Sequence, residues 1–362
     1  VMLLWPAILD HTNHPNLIPI GFVAMVLRAL RRLLDRGWPR DVSALGLWLG
    51  LTAVMRLQMV AFGAFLWVPY AVVRIARMDV LEGWRRIKLG VAASALGAAL
   101  SLPVTLPYLV YHLRARDLDQ VVDAMVEAQS SDLLAYVLPR SGHWIFGDWV
   151  RTLVEDLALQ STPYSPALGW VTLGLVAVAL VNLTRRSRGW GILAGGLLVL
   201  ALGPRPDLFG FEIEIASYTR FYESWVLPVL REPNRFDLLL SVPVGLLAGL
   251  GMQGVLARIG SRSARRRWVL VGVALIFADL VALPHPRLSV AVPSWYASLV
   301  DDPADYGLLE IPTYRQSNER YMRYQLTHGK ALVHGHVSRV PADAYAFIES
   351  VPMLAYLHET DG

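Results

Sequence analysis

The sequence predicts an all-α polytopic membrane protein, with about eight membrane helices plus a partial one and a small α/β extracytoplasmic C-terminal piece. Hydrophobic residues make up 55% of the 362-residue chain and charged residues 17%, whereas about a quarter of a soluble domain is charged. The mean hydropathy is +0.43. Long apolar runs alternate with short clusters of arginine, a pattern typical of helices that are anchored on one side of a bilayer.

The apolar runs follow one another along most of the chain. A partial run at residues 1–9 precedes the polar loop 10–16, and eight further runs lie at residues 17–34, 42–55, 57–73, 87–110, 168–183, 189–203, 238–256 and 268–283. The runs joined at Arg56 predict either a tight helical hairpin or a re-entrant pair, because both are near or below the ~20 residues of a full span. The polar stretches 111–166 and 204–236 predict two large loops.

Basic residues predict the orientation of these runs. Four clusters, at residues 28–40, 74–88, 185–188 and 258–267, hold 18 of the 33 Lys and Arg residues. Lys and Arg are enriched in cytoplasmic loops, and all four clusters reach the cytoplasmic side if every run crosses once. The sequence therefore predicts a multi-pass protein of the cytoplasmic (inner) membrane. The clusters are short anchors and form no continuous basic surface, so the pI of 9.4 does not indicate a nucleic-acid partner.

This map divides the chain into a multi-pass transmembrane domain, residues 1–283, and an extracytoplasmic soluble segment, residues 284–362. In the second, residues 307–311 and 331–334 predict strands and residues 318–326 predict a helix. The chain begins within an apolar run and stops at HETDG without a closing element, so we expect truncation at both ends. Cysteine is absent from the sequence, which excludes disulfides, thiolate metal sites and a cysteine nucleophile.

The run 238–256 contains a glycine pattern, GLGMQG at residues 249–254, that matches the dinucleotide-binding motif G-x-G-x-x-G. That motif requires a preceding strand and an opening helix, and here the glycines lie deep in an apolar helix. We therefore interpret Gly249 and its neighbours, together with Gly245, as close contacts between membrane helices.

Two outer loops contain candidate catalytic and phosphate-binding residues. Asp10 and His14 combine a carboxylate with an imidazole, which suits catalytic proton transfer; the alternative is a solvated loop with a helix-capping Asp. Arg231 and Arg235 precede the run 238–256, where two guanidinium groups could clamp the phosphate of a lipid-linked donor. The alternative for this arginine pair is an ordinary interfacial anchor.

A third loop contains candidate substrate-binding residues. His143, Trp144 and Asp148 place an aromatic ring beside polar groups, which suits sugar stacking and hydroxyl recognition; the alternative is an interfacial turn. Asp279 is an acid inside the last run and therefore a functional candidate, although its place near the outer end also suits an interfacial position. The segments HGK at 328–330 and HGH at 334–336 contain His328, Lys330, His334 and His336 and raise the possibility of a metal site. A structural or surface role is favoured over metal binding for these residues.

Several short segments resemble bacterial multi-pass membrane glycosyltransferases of the GT-C type. They are HPNLIPI at 14–20, DLLAYVLP at 132–139, ALGP at 201–204, REPNRF at 231–236 and YQLTHGK at 324–330. The resemblance implies an enzyme that transfers a sugar from a polyprenyl-phosphate donor on the extracytoplasmic face. It also implies a catalytic acid in the first extracytoplasmic loop, which would precede Val1. The sequence itself implies no cofactor, gives no support for a divalent metal, and leaves open the sugar, the acceptor and the oligomeric state.

A non-enzymatic function is the alternative to this enzyme. A membrane transporter, a flippase or a scaffold for cell-envelope assembly would have the same hydropathy. The apolar runs contain neither paired charges nor clear inverted repeats, which disfavours the transporter. The expected partners are the lipid bilayer in both cases and a lipid-linked sugar donor in the first.

Overall fold

The computed structural model describes residues 20–114, 130–156, 166–182, 184–208, 211–226, 233–281, 291–311, 315–333, 335 and 346–359. Two compact units make up the chain. The first contains Val1–Tyr108 and Val121–His285, and the second contains Leu109–Gln120 and Pro286–Gly362. Our interpretation of these units as a membrane part and an extracytoplasmic part stays a prediction.

Helices dominate the described part of the first unit. They are α1 (Ile20–Arg36), α2 (Pro39–Met55), α3 (Leu57–Ile75), α4 (Val80–Arg114, whose end belongs to the second unit), α5 (Gly147–Asp156), α6 (Trp170–Val181), α7 (Arg185–Ala201), α8 (Ala216–Phe221), α9 (Arg235–Ala257) and α10 (Arg262–Leu280). A short antiparallel hairpin pairs β1 (Asp207–Leu208) with β2 (Phe211–Glu212).

Three of the described helices are long and apolar enough to cross a membrane: Leu57–Ile75, Val80–Val110 and Arg235–Ala257. The helices Trp170–Val181 and Ser187–Ala201 are apolar but shorter. The prediction of a mostly helical protein with membrane-like helices is therefore confirmed, whereas the count of about eight crossings stays a prediction.

Helix α9 is the central helix of the first unit. In its most apolar window 56% of the residues are buried, compared with 28% for α3 and 22% for α4. Every residue from 233 to 244 is buried. The Phe236 ring packs edge-on against Phe62 and Phe65 of α3, at centroid distances of 6.2 and 5.1 Å. The other two long helices thus lie at the periphery, where lipid would cover them.

The join between α2 and α3 is a single residue, Arg56. Its backbone is extended, with φ −166° and ψ 113°, and its N–H donates to the Thr52 carbonyl at 3.0 Å. The predicted break at Arg56 is confirmed, and it brings the Arg56 and Gln58 side chains to the start of α3.

Contacts between helix ends show at which end of the helix bundle two of the basic clusters lie. Arg74, near the end of α3, pairs with Asp35, near the end of α1. Arg86 donates from Nη1 to the Leu33 carbonyl at 2.9 Å. At the other end of α3, Gln58 contacts Arg235, the first residue of α9. The clusters 28–40 and 74–88 therefore lie at one end of the bundle, and the start of α9 lies at the opposite end.

The glycines of α9 correct one expectation from the sequence. A Cβ atom on Gly245 or Gly249 would have no heavy atom within 4 Å, so the prediction that these two pack closely against a helix is wrong. The same prediction is confirmed for Gly251, where a Cβ would fall on the Leu175 carbonyl of α6, and for Gly254, where a Cβ would lie 3.1 Å from the Asn182 side chain. Residues two positions apart on an α-helix point to nearly opposite sides, which explains why Gly249 and Gly251 have different surroundings.

The second unit contains short elements around a cluster of tyrosines. Besides a 3₁₀ turn at Ser294–Leu299, these are β3 (Gly307–Leu308), α11 (Arg315–His328), β4 (Ala331–Leu332), α12 (Ala346–Ser350) and α13 (Pro352–Glu359). The strands β3 and β4 pair in parallel, so both predicted strands and the predicted helix exist, although each strand is only two residues long. Tyr296 is buried and donates to Glu310 Oε1 at 2.7 Å.

Candidate functional site at the start of the central helix

Buried and half-buried polar side chains gather where α9 begins, although apolar residues dominate the rest of this helix. We call this group the collar. Its members are Arg56, Gln58, Ser131, Tyr136, Arg235 and Asp237.

The carboxyl group of Asp237 is the acidic part of the collar. Asp237 is 1% exposed. Its Oδ2 accepts from the Ser131 hydroxyl at 2.9 Å, and its Oδ1 accepts from the Tyr136 hydroxyl at 2.5 Å. Burial and the nearby Asp237 carboxylate raise the pKa of Tyr136 well above its ordinary value. Tyr136 therefore stays protonated and acts as a hydrogen-bond donor to the carboxyl group.

Two guanidinium groups form the basic part of the collar. Arg235 donates from Nη1 to Gln58 Oε1 at 3.0 Å. Arg56 donates to the same oxygen from Nη2 at 2.8 Å and from Nε at 3.2 Å. Arg235 is 7% exposed, and Arg56 and Gln58 are half-buried. Two cations thus converge on one neutral acceptor at a helix N-terminus, where the helix dipole also favours an anion.

The segment 130–140 reaches α9 because backbone hydrogen bonds join it to the last residue of α7 and to the chain that follows. The Ser131 N–H donates to the Ala201 carbonyl at 3.2 Å, and the Leu133 N–H donates to the Asp207 carbonyl at 3.1 Å. Gly203 has a φ of 78°, and a Cβ there would fall on the Ser130 hydroxyl. Only glycine combines this backbone conformation with such a close approach. These hydrogen bonds and the conformation of Gly203 therefore place Ser131 and Tyr136 beside Asp237.

Arg235 is the only predicted phosphate-binding residue that the structure describes. Asp10, His14 and Arg231 lie outside the described residues, and so do His334 and His336. The structure therefore describes one residue of the predicted phosphate-binding pair, Arg235, and this residue belongs to the collar.

The predicted substrate-binding residues lie close together in sequence, His143 and Trp144 in the loop before α5 and Asp148 in its first turn, but they differ in exposure. His143 is 6% exposed, and its Nδ1 accepts from the backbone N–H groups of Ile145 and Phe146 at 3.1 and 3.2 Å. Burial lowers the His143 pKa, so the neutral ring stabilises the turn into α5. Trp144 is 54% exposed and donates from Nε1 to the Ala278 carbonyl at 2.8 Å. Asp148 is exposed and pairs with Arg151.

Asp279 caps a helix from a neighbouring helix. Its Oδ2 accepts from the Val171 N–H in the first turn of α6 at 2.7 Å. Gly169, the residue before α6, has a φ of 77° and no side chain that could cap. The carboxylate of α10 therefore supplies the acceptor that helix N-termini need, which gives this acid a structural role.

Sequence reasoning missed Asp237, Tyr136, Ser131 and Gln58 as site residues. The signal for Asp237 was available, because an acid in the first turn of an apolar helix is a functional candidate. The partners of Asp237 were not predictable, since Ser131 and Tyr136 are 106 and 101 positions away along the chain.

The described residues contain no group of three or more His, Asp or Glu side chains that could hold a metal ion. The collar instead combines a carboxyl group, two hydroxyl groups and two guanidinium groups, which suits anion binding and proton transfer. No family model matches the chain, and no curated protein matches it at a significant level.

Proposed function

We propose that the chain is an integral membrane glycosyltransferase-like protein, which transfers a sugar from a polyprenyl-phosphate donor on the extracytoplasmic face. The observation that carries the proposal is the convergence of Arg56 and Arg235 on Gln58 Oε1. Two guanidinium groups at the predicted outer end of a central apolar helix match the charge and the depth of a lipid-linked phosphate.

In this reaction an acceptor hydroxyl attacks the anomeric carbon of the donor sugar. The bond from that carbon to the phosphate oxygen breaks, and the hydroxyl proton passes to a carboxylate. Asp10, assisted by His14, is the proposed base, and polyprenyl phosphate is the leaving group. Arg235 and Arg56, with Arg231, stabilise the charge that develops on the phosphate. The exposed Trp144 and Asp148 are the proposed contacts of the sugar or the acceptor.

Replacing Gln58 by glutamate tests this role of the collar. The new side chain has nearly the same shape as glutamine. Its carboxylate would pair with both guanidinium groups and neutralise the positive charge that the phosphate would otherwise bind. We expect transfer from polyprenyl-phosphate hexoses and pentoses to fall by about a hundredfold, while the protein stays folded. The measurement is a transfer assay with the full-length protein in lipid vesicles.

Arg235→Gln is the second variant, and Arg220→Gln is its matched control, because Arg220 is exposed in the same predicted outer loop. Loss of transfer with Gln58→Glu and Arg235→Gln, but not with Arg220→Gln, supports the proposal. Transfer by Gln58→Glu at the unaltered rate contradicts a phosphate-binding collar. If the unaltered protein transfers none of these sugars, a non-enzymatic transporter, flippase or scaffold becomes the better account.

A further inference from the structure

Two adjoining cavities open between helices of the first unit, away from the collar. Their volumes are about 680 and 1080 Å³, and ligand sites typically measure roughly 300–1,000 Å³. They share a lining that includes Gly245 and Gly249 of α9 and the stacked rings of Tyr70 and Trp190. The two glycines that do not pack against a helix therefore form part of a continuous groove.

The groove has an arginine-rich rim. Its lining includes Arg28, Arg31, Arg74, Arg77 and Arg188, which come from three of the four basic clusters. No acidic residue lines either cavity in the described part of the chain. Asp35 pairs with Arg31 and Arg74 and so compensates part of the charge.

Three of these arginines have their charge available. Arg28, Arg77 and Arg188 are exposed, and the described residues provide no ion-pair partner for any of them. An exposed guanidinium group that borders an apolar groove suits a ligand with an anionic head and an apolar chain. Because of these positive charges, the groove differs from a purely apolar surface, which the acyl chain of any lipid would cover.

We infer that the groove binds an anionic phospholipid, with the phosphate among the arginines of the rim and an acyl chain along Gly245 and Gly249. Charge complementarity favours this occupant over a zwitterionic lipid, and the apolar floor favours it over a soluble phosphate. The basic clusters also predict that the groove opens to the cytoplasmic leaflet, where anionic lipids attract basic residues. This inference concerns the opposite end of α9 from the collar and does not depend on sugar transfer.

Lipid retention by the full-length protein tests the inference. Protein is exchanged into nanodiscs that contain phosphatidylcholine and phosphatidylglycerol, released into detergent and measured by native mass spectrometry. We expect a retained phosphatidylglycerol and no comparable phosphatidylcholine. Arg77→Gln combined with Arg188→Gln should reduce this retention about 25-fold, because each basic residue near an anionic lipid contributes about a factor of five.

A second pair of variants separates the groove from general surface charge. Gly245→Leu with Gly249→Leu should fill the groove and abolish retention, and a Cβ at either glycine meets no atom within 4 Å. Gly195→Leu is the matched control, because Gly195 is equally open and lines neither cavity. Arg266→Gln is the control for charge, because Arg266 is exposed and lines neither cavity.

Retention that falls with the groove variants and persists with both controls confirms the site. Equal retention of both lipids, or equal losses with groove variants and controls, overturns the inference. Displacement of the lipid by inorganic phosphate alone would also overturn it, because the site would then recognise phosphate without the chain.

Discussion

Replacing Asp237 by alanine is expected to destabilise the first unit by about 2–5 kcal/mol. The substitution leaves the hydroxyl groups of Ser131 and Tyr136 without their acceptor, and an unsatisfied buried donor costs about 1–3 kcal/mol. The removed side chain also leaves a cavity in a position that is 1% exposed. The free energy of unfolding, measured by denaturant titration in detergent micelles with circular dichroism, provides the check.

Two further variants make this result specific to the collar. Tyr136→Phe should cost less than Asp237→Ala, and the double variant should show a coupling energy of about 0.5–3 kcal/mol, as expected for side chains in one network. Asp148→Ala makes the same substitution at an exposed position, so its effect should stay within about 0.5 kcal/mol. Equal effects of Asp237→Ala and Asp148→Ala would show that the hydrogen bonds of the collar do not stabilise the fold.

The same substitution at two nearby glycines should have opposite effects. Gly251→Ala places a methyl group on the Leu175 carbonyl, so α6 and α9 must separate, and we expect a loss of about 1–3 kcal/mol. Gly249→Ala places the methyl group in open space and removes the helix-propensity cost of glycine, so we expect a gain of about 0.5–1 kcal/mol. Both variants are compared with the unaltered protein in the same denaturant titration.

This comparison controls for backbone effects, because both variants make the same change in one helix. A loss of stability in both would indicate that Gly249 also packs against a neighbour. Stability unchanged by Gly251→Ala would contradict the close contact between α6 and α9.

The sequence predicted the helices but not the surroundings of their residues. The length of their apolar runs identifies α3, α4 and α9, because a run of about twenty apolar residues is typical of a membrane-spanning helix. The break at Arg56 was also predictable, because a charged residue separates two apolar runs there. The direction in which each glycine faces was not predictable, because it depends on which helices pack against α9. Gly245, Gly249 and Gly251 look alike in the sequence and have different neighbours in the fold.

The collar illustrates the same limit for the candidate site. Arg235 was identified because two arginines precede an apolar run. Its contact with Gln58 depends on the start of α3 lying beside the start of α9, a pairing across 177 positions of the chain. His143 was predicted as a substrate contact from its type and its loop, but its ring accepts two backbone N–H groups and so stabilises the turn.

The orientation of the helices is the central claim, because it places the collar outside and the arginine-rimmed groove inside. The chain has no cysteine, so single introduced cysteines can report accessibility without interference. The most direct measurement is labelling of intact cells with a membrane-impermeant maleimide, using the exposed positions Ser141, Ser263 and Ser298. We predict that Ser141→Cys, near the collar end, and Ser298→Cys, in the second unit, react in intact cells. We predict that Ser263→Cys, among the arginines at the start of α10, reacts only after permeabilisation. Reaction of Ser141→Cys and Ser263→Cys from the same side would contradict the account.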